Sequence, residues 1–245
     1  MSAQLGAITL LSGAIGYALS VCALVAPGEM SLPTPCAEWD LSTLLGHLSE
    51  SMADLEAGIR TGHLGLDPGE PGHATGPGDP VEVLRDRAAE LLCATYGFAG
   101  PGQFVAVGGL PMPADLVACT GAIEIAVHGW DVSAARGDRC PIPPALAARL
   151  LRLCPFLVAG REGLFAVPVE VPAAASPGDQ LIGYLGRDPD YPRSMPGRLR
   201  PLLLHGCSAR PVIDDAPHLA HRSLDRIRLQ DAGGDGDTDG VLDQG

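Results

Sequence analysis

The chain has 245 residues, of which 46% are hydrophobic, and a formal net charge of −13; all 16 of its basic residues are Arg. That much apolar sequence can fill one medium-sized core with a small appendage. So acidic a chain has no basic patch to displace counterions from phosphates or to dock on anionic lipid, which sets aside nucleic-acid binding and membrane-surface binding. Seven Cys occur singly, an odd count without any CxxC pair. This argues against a disulfide framework or a thiolate zinc site, and for small core residues in a reducing cytoplasm.

The first 28 residues carry no charged side chain. Residues 4–26 read as a buried bundle helix, stopped by Pro27-Gly28. A membrane span is the weaker reading: no positive segment precedes the run, and Ser2, Gln4, Thr9, Ser12, Ser20 and three glycines dilute it. A second helix is expected over 41–60. Asp40 is its N-cap, and Trp39 stands where it can staple onto Leu44. Leu41, Leu44, Leu45 and Leu48 recur at helical spacing, and His47 falls on that apolar side.

Residues 61–79 hold six Gly and three Pro and read as a long loop. A third helix follows over 80–96, with Asp79 as cap, Pro80 at the first helical position and Glu82 as reciprocal partner. "GQFVAVGGLPMP" is a short extended link. Residues 114–136 form a fourth helix that closes at Gly137, and 143–159 a fifth. "LFAVPVEVPA" suggests a short strand or extended arm, and "GDQLIGYLGRDP" a brief helix. The pattern predicts an all-α four-helix bundle over 1–160 and a C-terminal helical and extended extension over 161–192. A low-order acidic tail covers 193–245. "DGDTDG" in that tail imitates half of a calcium loop, but the chain reaches Gly245 before the bidentate acid such a loop needs.

One stretch of the fourth helix, "EIAVHGWD", carries charge in apolar surroundings. Glu124 and His128 are four residues apart, hence side by side on one face. A carboxylate buried there without a partner would cost several kcal/mol or take up a proton, and a divalent metal removes that cost. His47 is the one imidazole on the interior side of another expected helix. Two His and a carboxylate, with one position left for water, are the ligands of catalytic rather than structural zinc. Such a pair can equally be hydrogen-bonded or solvated, and a core His satisfied by a carbonyl. Asp131, three residues after His128, either orients a ligand or caps locally. Ser51, one turn after His47, can line the pocket. Trp39 and Trp130 read as packing anchors, and His63 and His73 as solvated loop residues.

"PTPCAEWDLSTLLGHL" and "EIAVHGWDVSAARG" resemble the two signature segments of the DinB/YfiT-like metal-binding superfamily. They are most similar to its mycothiol-dependent maleylpyruvate isomerase branch, common in actinobacteria. "LIGYLGRDP" resembles the segment that closes the shorter members, so the likeness spans about residues 5–190. It implies that His47, Glu124 and His128 are metal ligands, with zinc favoured. It also implies that the thiol to be activated comes from mycothiol, so that no protein Cys is required. The reaction so implied is thiol transfer to, or isomerisation of, a small electrophilic substrate. The alternatives are a hydrolase, lyase or cyclase using zinc-bound water or Lewis acidity, and a non-catalytic metal-binding bundle.

Overall fold

The structure is a computed structural model and describes residues 2–37, 39–65, 78–97, 102–158 and 165–191. The expected tail over 193–245, His73 and most of the Gly-rich loop lie outside the described residues. Six helices run in chain order: α1 (Ser2–Cys22), α2 (Leu41–Thr61), α3 (Pro80–Gly97), α4 (Ala114–Arg136), α5 (Pro144–Leu157) and α6 (Pro177–Tyr184). The first four form the bundle. Helix α4 packs on α1 and α2, α3 packs on α2 and α1, and α5 and α6 cover the outside together.

Each boundary has a local cause. The Asp40 carboxylate accepts from the Thr43 N–H at 2.8 Å, satisfying one of the orphan donors of α2. Asp79 does the same for α3 through Val81 N at 2.9 Å. Helix α4 ends in a left-handed residue at Gly137, as expected for a C-terminal stop. Leu41, Leu44, Leu45, Leu48 and Met52 of α2 are fully buried. Each side chain of that size contributes about 1.5–3 kcal/mol when taken from water, so the stripe by itself commits α2 to the bundle interior.

Helix α4 is buried nearly all round, from Val117 to Ala135, as a helix with neighbours on every side must be. Small residues allow this. At Gly129 an added Cβ would stand 3.1 Å from the Ala18 Cα, which shows how closely α1 and α4 approach. Among the described residues no helix is long and apolar enough to cross a membrane.

To the helices the structure adds a small sheet of order β1-β2-β3. The expected extended link is an antiparallel hairpin of β2 (Phe104–Val107) and β3 (Leu110–Pro113), turned at Gly108-Gly109. Strand β1 (His63–Leu64) pairs parallel with β2, which the short sequence signal could not indicate. Val105 is fully buried and fastens the hairpin to the bundle. The segment "LFAVPVEVPA" forms no strand among its described residues; it lies extended, with Val169 N donating to Gly183 O at 2.9 Å. Cys22, Cys36 and Cys119 are free thiols, whereas Cys140 is disulfide-bonded. The expectation of unpaired cysteines therefore fails at Cys140.

Candidate metal centre

Helices α2 and α4 bring His47, Glu124 and His128 together. His47 Nε2 lies 3.1 Å and His128 Nε2 2.9 Å from the same oxygen, Glu124 Oε1. One ligand atom from each of the three residues lies within 4.8 Å of the others. The two imidazoles meet edge to face, with centroids 4.9 Å apart and planes at 84°. The cluster runs from the surface inward: the side chains of His47 and Glu124 are 27% and 30% exposed, those of His128 and Asp131 6% and 0%.

Behind His128 stands a second layer. Its Nδ1 is 3.0 Å from Asp131 Oδ2. The same oxygen accepts from the Cys36 thiol at 3.2 Å and from Arg187 Nη2 at 3.1 Å. Cys36 comes from the loop before α2, which is held by the buried Thr34: its hydroxyl donates to Cys36 O and Trp39 O. Tyr191 Oη ties the C-terminal arm to this loop through Pro33 O at 3.0 Å.

The electrostatics follow from this arrangement. Burial opposes charge on His128, Glu124 and Asp131, yet the groups around each of them outweigh it. Burial would lower the His128 pKa, but the Glu124 charge and hydrogen bonds to Asp131, Cys36 and Glu124 raise it well above the ordinary value. Burial would raise the carboxyl pKa of Glu124, but the charge and hydrogen bond of His128, with those of His47, hold it well below the carboxylate range. Asp131 is likewise lowered against its burial, by Arg187 and His128.

Several expectations find their place here. Asp131 is fully buried, and its Oδ2 stands 3.0 Å from His128 Nδ1. Ser51 Oγ stands 3.5 Å from His47 Nε2, at the edge of the cluster. The Trp39 ring lies tilted, with its centroid 4.7 Å from that of His47 and 6.1 Å from that of His128, so it walls the site as well as anchoring the loop. Trp130 is a core residue. His63 is exposed on β1 with Nδ1 3.1 Å from Thr61 O, away from the cluster.

Cys36 and Arg187 were not singled out in the sequence. Both lie in motifs that were, "PTPCAEWD" and "LIGYLGRDP".

The family described as mycothiol maleylpyruvate isomerase N-terminal domain matches residues 14–133. Two uncharacterized proteins of Mycobacterium tuberculosis, from strains CDC 1551 / Oshkosh and H37Rv, are 28% identical to this chain over 175 residues, covering 69% of it and 90% of their own length. No solved structure matches. The match takes in α2 with His47 and α4 through Asp131. Over residues 14–133, which is just under half of its length, the chain is similar to the mycothiol maleylpyruvate isomerase N-terminal domain family.

Proposed function

We propose that this protein is a metal-dependent enzyme in which His47, Glu124 and His128 hold one divalent cation, zinc by preference. It would activate a small thiol, mycothiol, for transfer to, or isomerisation of, a small electrophilic substrate. The single observation that carries this reading is the convergence of two imidazole nitrogens from two helices on one carboxylate oxygen, at 3.1 and 2.9 Å.

The donor set fits the ion. Ligand atoms around a tetrahedral zinc at about 2.0–2.1 Å stand about 3.4 Å apart, so the observed spacings need only a slight widening. Mixed imidazole and carboxylate ligation suits zinc, and three protein ligands are the number found in catalytic sites. Zinc held there supplies a Lewis acid that lowers the pKa of a coordinated thiol or water.

The chain's own residues do the rest. Asp131 accepts the His128 Nδ1–H, which leaves Nε2 as the ligating nitrogen and fixes the ring. His47 and Glu124 keep part of their surface open, so a small molecule can reach the cluster from that side. Trp39 closes the flank over both imidazoles and excludes water there. The family match supports a thiol-related chemistry and a small-molecule substrate. A reduced thiol cofactor also goes with a cytoplasmic location, which the free Cys22, Cys36 and Cys119 support and the bonded Cys140 opposes.

Elemental analysis of the purified protein tests the metal, and thiol consumption in the presence of mycothiol and an electrophile tests the chemistry. The expected result is about one zinc per chain, the number a mononuclear site holds, and thiol consumption that His128→Ala abolishes together with the zinc. Full zinc occupancy in that variant contradicts the assignment. Zinc binding without thiol consumption removes mycothiol from the reading and leaves the metal.

A further inference from the structure

We infer that Arg187 is a positioning residue for the metal centre, holding the His128 imidazole through Asp131; this rests on the metal reading above. Arg187 follows α6 and lies outside the family match over 14–133. It nevertheless reaches the innermost carboxylate of the site.

The geometry is a fork. Arg187 Nη2 donates to Asp131 Oδ2 at 3.1 Å and Nε to Oδ1 at 3.4 Å, so both carboxylate oxygens are gripped at once. Asp131 Oδ1 has no other hydrogen bond among the described residues, whereas Oδ2 also faces His128 Nδ1 and the Cys36 thiol. The fork therefore sets the rotation of the carboxylate, and that rotation aims Oδ2 at His128. Without it, a fully buried anion would lose the only cationic partner it has among the described residues other than the ring it orients.

The backbone fixes the fork in turn. Gly186 has φ +79°, and an added Cβ there would fall 2.6 Å from Ala166 O, so only glycine makes this turn against the extended arm. Arg187 N then donates to Ile182 O at 3.0 Å and closes the end of α6.

A second role for an arginine near such a site is to bind an anionic substrate. The structure speaks against it. The Arg187 side chain is only 10% exposed, Nη1 is taken by Leu185 O at 2.9 Å, and Nη2 also contacts Cys36 Sγ at 3.5 Å. The guanidinium is spent on the protein, and the C-terminal arm completes a site whose proposed ligands all lie in the matched segment.

The test is zinc affinity, by competition with a chromophoric chelator, in the full chain and in Arg187→Ala, Arg187→Lys, Asp131→Asn and the Arg187→Ala/Asp131→Asn double variant. Helix content by circular dichroism checks folding; should Arg187→Ala fail to fold, Arg187→Lys, which keeps the charge and loses the fork, carries the test. Arg187→Ala is expected to weaken zinc binding about 10–100-fold, with Arg187→Lys in between. The double variant should be no weaker than Asp131→Asn alone, because the arginine acts through the aspartate. Wild-type zinc affinity in a folded Arg187 variant, or losses that multiply in the double variant, overturn the inference and leave the metal reading standing. A wild-type chain that takes up no zinc overturns the metal reading itself, and this inference with it.

Discussion

His47 Nε2 stands 3.1 Å from Glu124 Oε1, although 77 residues separate them along the chain. No local rule produces this contact; it exists because α2 and α4 each direct an apolar face into one core and carry these residues with it. Glu124 thus serves both imidazoles at once, since His128 Nε2 meets the same oxygen. Glu124→Gln keeps the size of the side chain and one acceptor oxygen, and removes its charge. The expected outcome is a folded protein whose zinc affinity falls by about 10-fold or more, given that even orienting partners are worth 10–100-fold. Zinc retained after dialysis against a graded chelator series measures it, and wild-type retention would mean that the carboxylate is not a ligand.

Metal uptake should be linked to protons. Burial alone would keep the His128 ring neutral, but Glu124, Asp131 and Cys36 outweigh it and push its pKa well up. That direction favours a proton on the ring in the metal-free protein, and a ligand nitrogen must lose it. Zinc binding at pH 7 should release about one proton, and apparent affinity should fall as the pH falls. Calorimetric titration in two buffers of different ionisation enthalpy reads the release directly. Equal heats in the two buffers would contradict the protonated apo ring.

The bundle was legible because its signals are redundant. Leucines at 41, 44, 45 and 48, the Asp40 cap and the Asp79-Pro80 start each point to helices found within a residue or two of the expected bounds. The Glu124–His128 pair was legible because helical spacing fixes which residues share a face, whereas His47, on another helix, was joined to it by its place on an apolar side and by the family resemblance. Strand β1 was not legible: two residues, His63 and Leu64, have no periodicity, and their pairing with Ala106 and Val107 is decided by the tertiary fold. Nor were Cys36 and Arg187, which sit in a loop and after a helix, where no spacing rule says what a side chain meets. They are 151 residues apart yet share a 3.5 Å contact.

Stability of the metal-free protein should peak in a middle range of pH. Glu124 and Asp131 have carboxyls held below their ordinary values, against burial, by His128 and by Arg187 respectively. Their contribution is complete above the unfolded carboxylate range, about 4, and is lost as the pH falls through the depressed values. His128 is raised, so its contribution is complete below the unfolded value of about 6.5 and is lost as the pH rises through its elevated value. Urea midpoints of the metal-free chain should therefore decline on both sides of about pH 4–6.5. His128→Ala should flatten the alkaline decline, and an unchanged alkaline limb in that variant would show that the imidazolium is not its source.

The close crossing of α1 and α4 fixes where His128 sits, because Gly129 is its immediate neighbour and faces α1. A side chain there would begin 3.1 Å from the Ala18 Cα and 3.2 Å from both the Ala18 Cβ and the Tyr17 Cε1. The Ala18 backbone belongs to a helix and cannot step aside alone, so α1 as a whole must shift. Tyr17 resists that shift, since its hydroxyl donates to Cys140 O at 2.7 Å in the interior. Gly129→Val should therefore destabilise the chain by about 1–3 kcal/mol, the cost of overpacking a filled core, despite the general penalty for glycine inside a helix. Urea unfolding of the variant measures this. A stability equal to or above that of the parent chain would mean that α1 has room to move away from α4.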